Sequence, residues 1–152
     1  MTFVDLARSA AGRHNLHCVR ASKSYGAGME SGPIKVLLAD DDDGFRASLR
    51  ELVDRQPELE VVGSARNGME AIELADELEP AAAVVDLHMP LLDGVTAIAR
   101  LRQDHPSLCL IALTGDGDAH LHEVVRRAGA DAVLQKGEMV ELLIDRLTKS
   151  RS

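Results

Sequence analysis

The sequence predicts an α/β protein built on one doubly wound parallel sheet. Three observations carry that expectation. From residue 34 onward, short aliphatic runs alternate with segments of helical period. Those runs are apolar throughout rather than at every second residue. Aromatic residues make up only 2% of the 152, with no Trp, so the core must be built from Ala, Val, Leu and Ile. Strands that are apolar on both faces belong to a parallel sheet covered by helices on each side. Right-handed crossovers then leave the doubly wound sandwich as the economical topology.

The elements follow in order. Residues 1–33 show no sustained period and end in the Ser/Gly-rich stretch Ser22–Pro33, so they are expected to form a flexible, disordered N-terminal arm. The strands are expected at Ile34–Ala39, Leu59–Ser64, Ala81–Val85, Leu108–Leu113 and Ala132–Leu134. Between them, Phe45, Leu49, Leu52 and Val53 share one helical face, as do Ala71, Ile72, Ala75 and Leu78. Val95, Ile98 and Leu101 mark a third helix, and Leu121, Val124, Val125 and Ala128 a fourth. Met139, Leu142 and Leu143 mark a fifth. Pro57, Pro80 and Pro106 precede strands, and Gly68 and Gly94 lie near helix starts. Residues 34–152 are therefore expected to be one domain with five strands and five helices.

Composition excludes several classes. The chain carries 17 basic and 25 acidic residues, a net charge of −8, and its basic excess is confined to the first 33 residues. A net acidic domain is poorly suited to clamping nucleic acid, so no direct DNA binding is expected. No apolar run reaches the roughly 18 residues of a membrane span, and no secretory h-region opens the chain. Cys18 and Cys109 are too few for a disulfide framework, and Cys109, inside an apolar run, reads as a buried reduced thiol. The expected compartment is the cytoplasm, without membrane contact.

In an open doubly wound sheet, ligands bind beyond the carboxyl ends of the strands. The first strand ends in Asp40-Asp41-Asp42-Asp43, the third in Asp86 and the fourth in Thr114, while Lys136 follows the fifth. Carboxylates crowded onto one rim repel, and one must take a proton or hold a cation. Mg²⁺ answers this, because it uses one or two carboxylates, waters and a phosphate oxygen. One carboxylate is then free to attack phosphorus. Lys136 and Thr114 are suited to holding phosphoryl oxygens, as a point charge and a hydroxyl donor respectively. The set reads as a Mg²⁺-assisted aspartyl-phosphate site.

Residues 34–148 resemble the receiver domain of bacterial two-component response regulators. The stretches that carry the likeness are Ile34-Lys-Val-Leu-Leu-Ala-Asp-Asp41, Val84-Val-Asp-Leu-His-Met-Pro90 with Asp93-Gly94, Ile111-Ala-Leu-Thr-Gly115, and Ala128-Gly-Ala-Asp-Ala-Val-Leu-Gln-Lys136. The resemblance implies a flavodoxin-like sheet of order 2-1-3-4-5. It also implies that Asp86 accepts phosphate from a sensor histidine kinase, with Asp40 and Asp41 as the acidic pair that holds Mg²⁺. Asp86 itself and the backbone carbonyl of His88 complete the implied metal ligands. Thr114 matches the switch hydroxyl and Lys136 the lysine that pairs with it. The closest branch normally continues into a C-terminal helix-turn-helix domain. The residues after Lys136 are too few for one, so an output domain is expected to be missing. A stand-alone receiver and one separated from its output domain both fit.

Three departures from the family pattern matter. Val133 occupies the position three before the lysine where an aromatic is usual, which puts the coupled switch in doubt. Gly137 replaces the proline that often follows the lysine. Asp42 and Asp43 extend the acidic pair to four, with Asp43 read as a cap for the helix that begins near Gly44.

The function expected is phosphorylation-dependent signalling to an unidentified downstream protein. Homodimerisation is expected through the face made by the fourth helix, fifth strand and fifth helix. The chain is expected not to be an enzyme beyond self-catalysed phosphorylation and dephosphorylation. A haloacid-dehalogenase-type phosphatase needs Asp-x-Asp at the nucleophile, which Asp86-Leu-His88 lacks. The alternative is a receiver-fold interaction module that works without phosphorylation, a reading motivated by Val133.

Overall fold

The computed structural model describes residues 32–89, 92–115, 119–136 and 145. Five strands appear, β1 (Ile34–Ala39), β2 (Leu59–Ala65), β3 (Ala82–Asp86), β4 (Cys109–Thr114) and β5 (Ala132–Gln135). Among the described residues there are four helices, α1 (Asp43–Asp54), α2 (Gly68–Leu78), α3 (Gly94–Asp104) and α4 (Ala119–Ala128). The expected fifth helix and nearly all of the N-terminal arm lie outside the described residues. All strand pairs are parallel and the order is β2-β1-β3-β4-β5, as the sequence predicts.

Alternate residues of each strand feed two cores. On one face Ile34, Val36 and Leu38 of β1 join Leu49 and Val53 of α1 and Ile111 and Leu113 of β4. On the other, Leu37 and Ala39 meet Ala71, Ile72 and Ala75 of α2, Ile98 and Leu101 of α3, and Val125 of α4. The small residues of α2 let that helix lie close to the sheet, where a larger side chain would hold it off. Cys109 is buried as expected, but it is disulfide-bonded and not the reduced thiol read from its apolar run.

Helix starts are fixed by side-chain caps. The cap of α1 is Asp42 and not Asp43, since Asp42 holds the extended backbone and accepts a hydrogen bond from Phe45 N at 3.1 Å. Asn67 caps α2 through Glu70 N, and Asp93 caps α3 through Thr96 N. Gly94 is required at the start of α3. A Cβ there would lie 2.4 Å from the Asp86 carbonyl oxygen and 2.5 Å from Leu87 Cα. The first turn of α3 is thereby pressed against the carboxyl end of β3, where Asp86 sits.

Candidate acidic phosphoryl and cation site

Backbone pairing continues past the strand ends and locks the rim. Asp40 N donates to Ala65 O at 3.0 Å, Leu87 N to Leu113 O at 2.9 Å, and Lys136 N to Thr114 O at 2.8 Å. Asp40, Asp86 and Thr114 are thus held on rigid strand termini and buried, while Asp41 beside them is exposed. The structure brings one carboxylate oxygen from each of Asp40, Asp41 and Asp86 within 4.8 Å of one another.

The two buried carboxylates are arranged alike. Asp40 Oδ1 accepts from Asp42 N at 2.8 Å, and Asp86 Oδ1 accepts from His88 N at 3.2 Å. Their Oδ2 atoms face Lys136 Nζ, at 2.9 Å for Asp40 and 3.3 Å for Asp86. Lys136 therefore bridges the pair. Asp40 Oδ2 is buried, with the Lys136 ammonium as its polar contact among the described residues. The imidazole of His88 is exposed, and only its backbone faces the site. Thr114 follows Leu113, the β4 residue paired with Asp86, and so sits one step beyond it on the neighbouring strand.

Burial, followed by the charge of Asp40, pushes the Asp86 carboxyl up, against the opposing pull of the His88 amide and Lys136. Burial alone would lower Lys136, but its pairing with Asp40 and the charge of Asp86 outweigh that and raise it. The site thus keeps a fixed cation and strains against its own negative charge. Three carboxylates against one ammonium suit a small hard cation such as Mg²⁺.

Two residues at the site escaped the sequence reading. Phe45, read only as a core position of α1, places its ring centroid 4.5 Å from Lys136 Nζ. Arg46 donates from Nη1 to the Asp40 carbonyl oxygen and from Nη2 to Asp43, both at 2.6 Å, which ties the first turn of α1 to the end of β1. The available signal was position: one of only two Phe residues lies within a helical turn of the acidic run.

A flavodoxin-like sheet with an acidic cluster at the carboxyl ends of β1 and β3 defines a receiver-type fold. The chain belongs to the response regulator receiver domain family, whose model matches residues 36–148. It is 36% identical over 124 residues to protein-glutamate methylesterase/protein-glutamine glutaminase 1 of Shewanella denitrificans, covering 75% of this chain and 32% of that one. The response regulator domain of Thermotoga maritima CheB superposes with a TM-score of 0.72 at 28% identity, covering 78% of this chain and 96% of that one. A DNA-binding response regulator of the LuxR family from Staphylococcus aureus gives 0.73 at 23% identity over 78% of this chain and 99% of that one, a likeness of fold alone.

These relatives overturn one expectation. The chain was read as no enzyme, yet the curated relatives are named as methylesterases and glutaminases, which are enzymes. The chain spans about a third of their length, and the matches cover only the receiver domain. A receiver sequence carries no information on the chemistry of a domain to which it is joined. No described helix is long and apolar enough to cross a membrane.

Proposed function

We propose that residues 34–152 form a phosphoryl-accepting receiver in which Asp86 takes a phosphoryl group from a sensor histidine kinase in the cytoplasm. The observation that carries this reading is the convergence of Asp40, Asp41 and Asp86 within 4.8 Å, with Lys136 bridging the two buried members. An Asp86 oxygen attacks phosphorus as the P–N bond of the phosphohistidine breaks, and the electron pair returns to the imidazole. Asp40, Asp41, Asp86 and the His88 carbonyl would hold Mg²⁺, which would supply neutralisation of the carboxylate and phosphoryl charge. Lys136 and Thr114 bind phosphoryl oxygens. Self-catalysed hydrolysis of the acyl phosphate resets the site.

The signal passes as a population shift between two conformations. Val124 of α4 is an exposed apolar residue on the face proposed for homodimerisation. The relatives' names suggest a methylesterase domain as the class of downstream partner, in a longer chain or as a separate protein. The test is intact mass after incubation with Mg²⁺ and a small-molecule phosphodonor, beside Asp86→Asn. Addition of one phosphoryl group to wild type alone supports the reading. Its absence from the folded, Mg²⁺-saturated protein, with a histidine kinase donor as well, counts against it.

A second reading, an interaction module independent of phosphorylation, is favoured by Val133, which packs partly buried against the α2–α3–α4 core and offers no aromatic ring to a switch. Partner binding or dimerisation that ignores an aspartyl-phosphate mimic would select it.

A further inference from the structure

Lys136 reaches the rim on a flexible four-carbon stem, and an ammonium on such a stem samples many directions unless held. Among the described residues it meets three groups: Asp40 Oδ2, Asp86 Oδ2 and the ring of Phe45. The carboxylates attract it but also compete for its protons. The ring attracts it by its quadrupole and takes no hydrogen bond. Among the described residues, Phe45 is therefore the contact that can hold the ammonium in place while leaving its N–H bonds for a phosphoryl oxygen.

Phe45 is itself held firmly. Its amide donates to the Asp42 cap, its side chain packs on the core beneath β1, and the neighbouring Arg46 ties the same turn to Asp40. We propose that Phe45 is a positioning residue, its ring presenting the Lys136 ammonium to the phosphoryl group formed on Asp86. This rests on the phosphoryl-accepting reading above and adds a residue of α1 to that site.

The experiment compares wild type, Phe45→Leu and Phe45→Tyr, each also in a Lys136→Met background. Phe45→Leu keeps an apolar side chain on the core and removes the ring; Phe45→Tyr keeps the ring. Two readouts are taken: the NMR shift of the Lys136 Cε protons, and the rate of phosphoryl addition to Asp86 from phosphoramidate with Mg²⁺. The ring should move the Cε protons upfield in wild type and Phe45→Tyr, and that displacement should vanish in Phe45→Leu. Phe45→Leu should slow phosphoryl addition about three- to tenfold, with unchanged half-saturation by Mg²⁺, and Phe45→Tyr should restore the rate to within about twofold. In the Lys136→Met background Phe45→Leu should cost nothing more.

An equal loss in both backgrounds, or no loss with the ring gone, overturns the proposal. So does a wild-type Lys136 whose protons are not displaced, and that result leaves the phosphoryl-accepting reading standing. Wild type that shows the displacement but accepts no phosphoryl group from phosphoramidate or from a histidine kinase donor overturns that reading, and this inference with it.

Discussion

Asp86 is the residue at which fold and site pull in opposite directions. Its carboxyl is raised above the ordinary value of 3.8, first by burial and then by Asp40. For a group whose folded pKa exceeds its unfolded one, the stabilisation is complete below the unfolded value and is lost as pH rises through the folded value. At neutral pH the raised Asp86 carboxyl therefore costs the metal-free protein stability. Asp86→Asn should raise the melting temperature of the metal-free protein at pH 7 by several degrees, on the order of 1 kcal/mol. That advantage should shrink as pH falls towards 4. Thermal melts in chelator across this range check it, and an advantage independent of pH would sink it. Lys136 offers the complementary test. Lys136→Ala leaves two buried carboxylates without their shared cation and should destabilise the metal-free protein by about 2 kcal/mol at neutral pH. Urea midpoints read this, and added Mg²⁺ should recover part of the loss in the variant. At this scale the placement of Asp40, Asp41, Asp86, Thr114 and Lys136 at strand ends was legible, because the apolar runs of the sequence stop at them, and their roles belong to the function proposed above. Phe45 was not, because a half-buried aromatic in a helix looks the same whether it faces aliphatic side chains or an ammonium.

The elements carry their own strains. The residue that ends α2 is Glu79, in the left-handed region at φ 47°, a conformation that a side chain makes costly. Glu79→Gly should stabilise the protein by up to about 1 kcal/mol, visible as a higher urea midpoint at unchanged slope. A lower midpoint would mean that Glu79 does something at the cap that its backbone does not reveal. Gly94 is the reverse case, since a Cβ there meets the backbone of Asp86 and Leu87 at about 2.5 Å or less. Gly94→Ala should cost about 2–3 kcal/mol and slow phosphoryl addition to Asp86 even under conditions where the variant is fully folded. An unaffected rate in the folded variant would show that α3 does not set the position of Asp86. The strands were read to within a residue, because apolar runs ended by charge leave little freedom. The cap of α1 was read one residue late, because four consecutive Asp residues offer the same side chain and only the backbone torsions choose among them.

For the whole molecule, the alternation of aliphatic runs and helical periods contained the doubly wound parallel sheet, since short right-handed crossovers leave few topologies, while the strand order came from the resemblance to receiver domains. What the chain is joined to or acts upon was not contained in it. A receiver surface looks much the same whether its partner binds DNA or hydrolyses a methyl ester, and the enzymatic names of the relatives came only from comparison. The disulfide at Cys109 was equally illegible, since an apolar run predicts burial of a sulfur and not its oxidation state.

The register of β1 against β2 slips between Val36 and Leu37, so that Val61 and Gly63 face consecutive residues and Val62 is the extra one. β2 is one open margin of the sheet, and such a bulge twists a margin away from the flat geometry another chain needs for strand addition. The opposite margin, β5, is only four residues long. Both rows of outward-facing amides are thus blunted, one by shape and one by brevity. Among the described residues crowded copies therefore find no long flat edge on which to polymerise, which leaves contact between these parts of two copies to helices and side chains, where it can be made and broken.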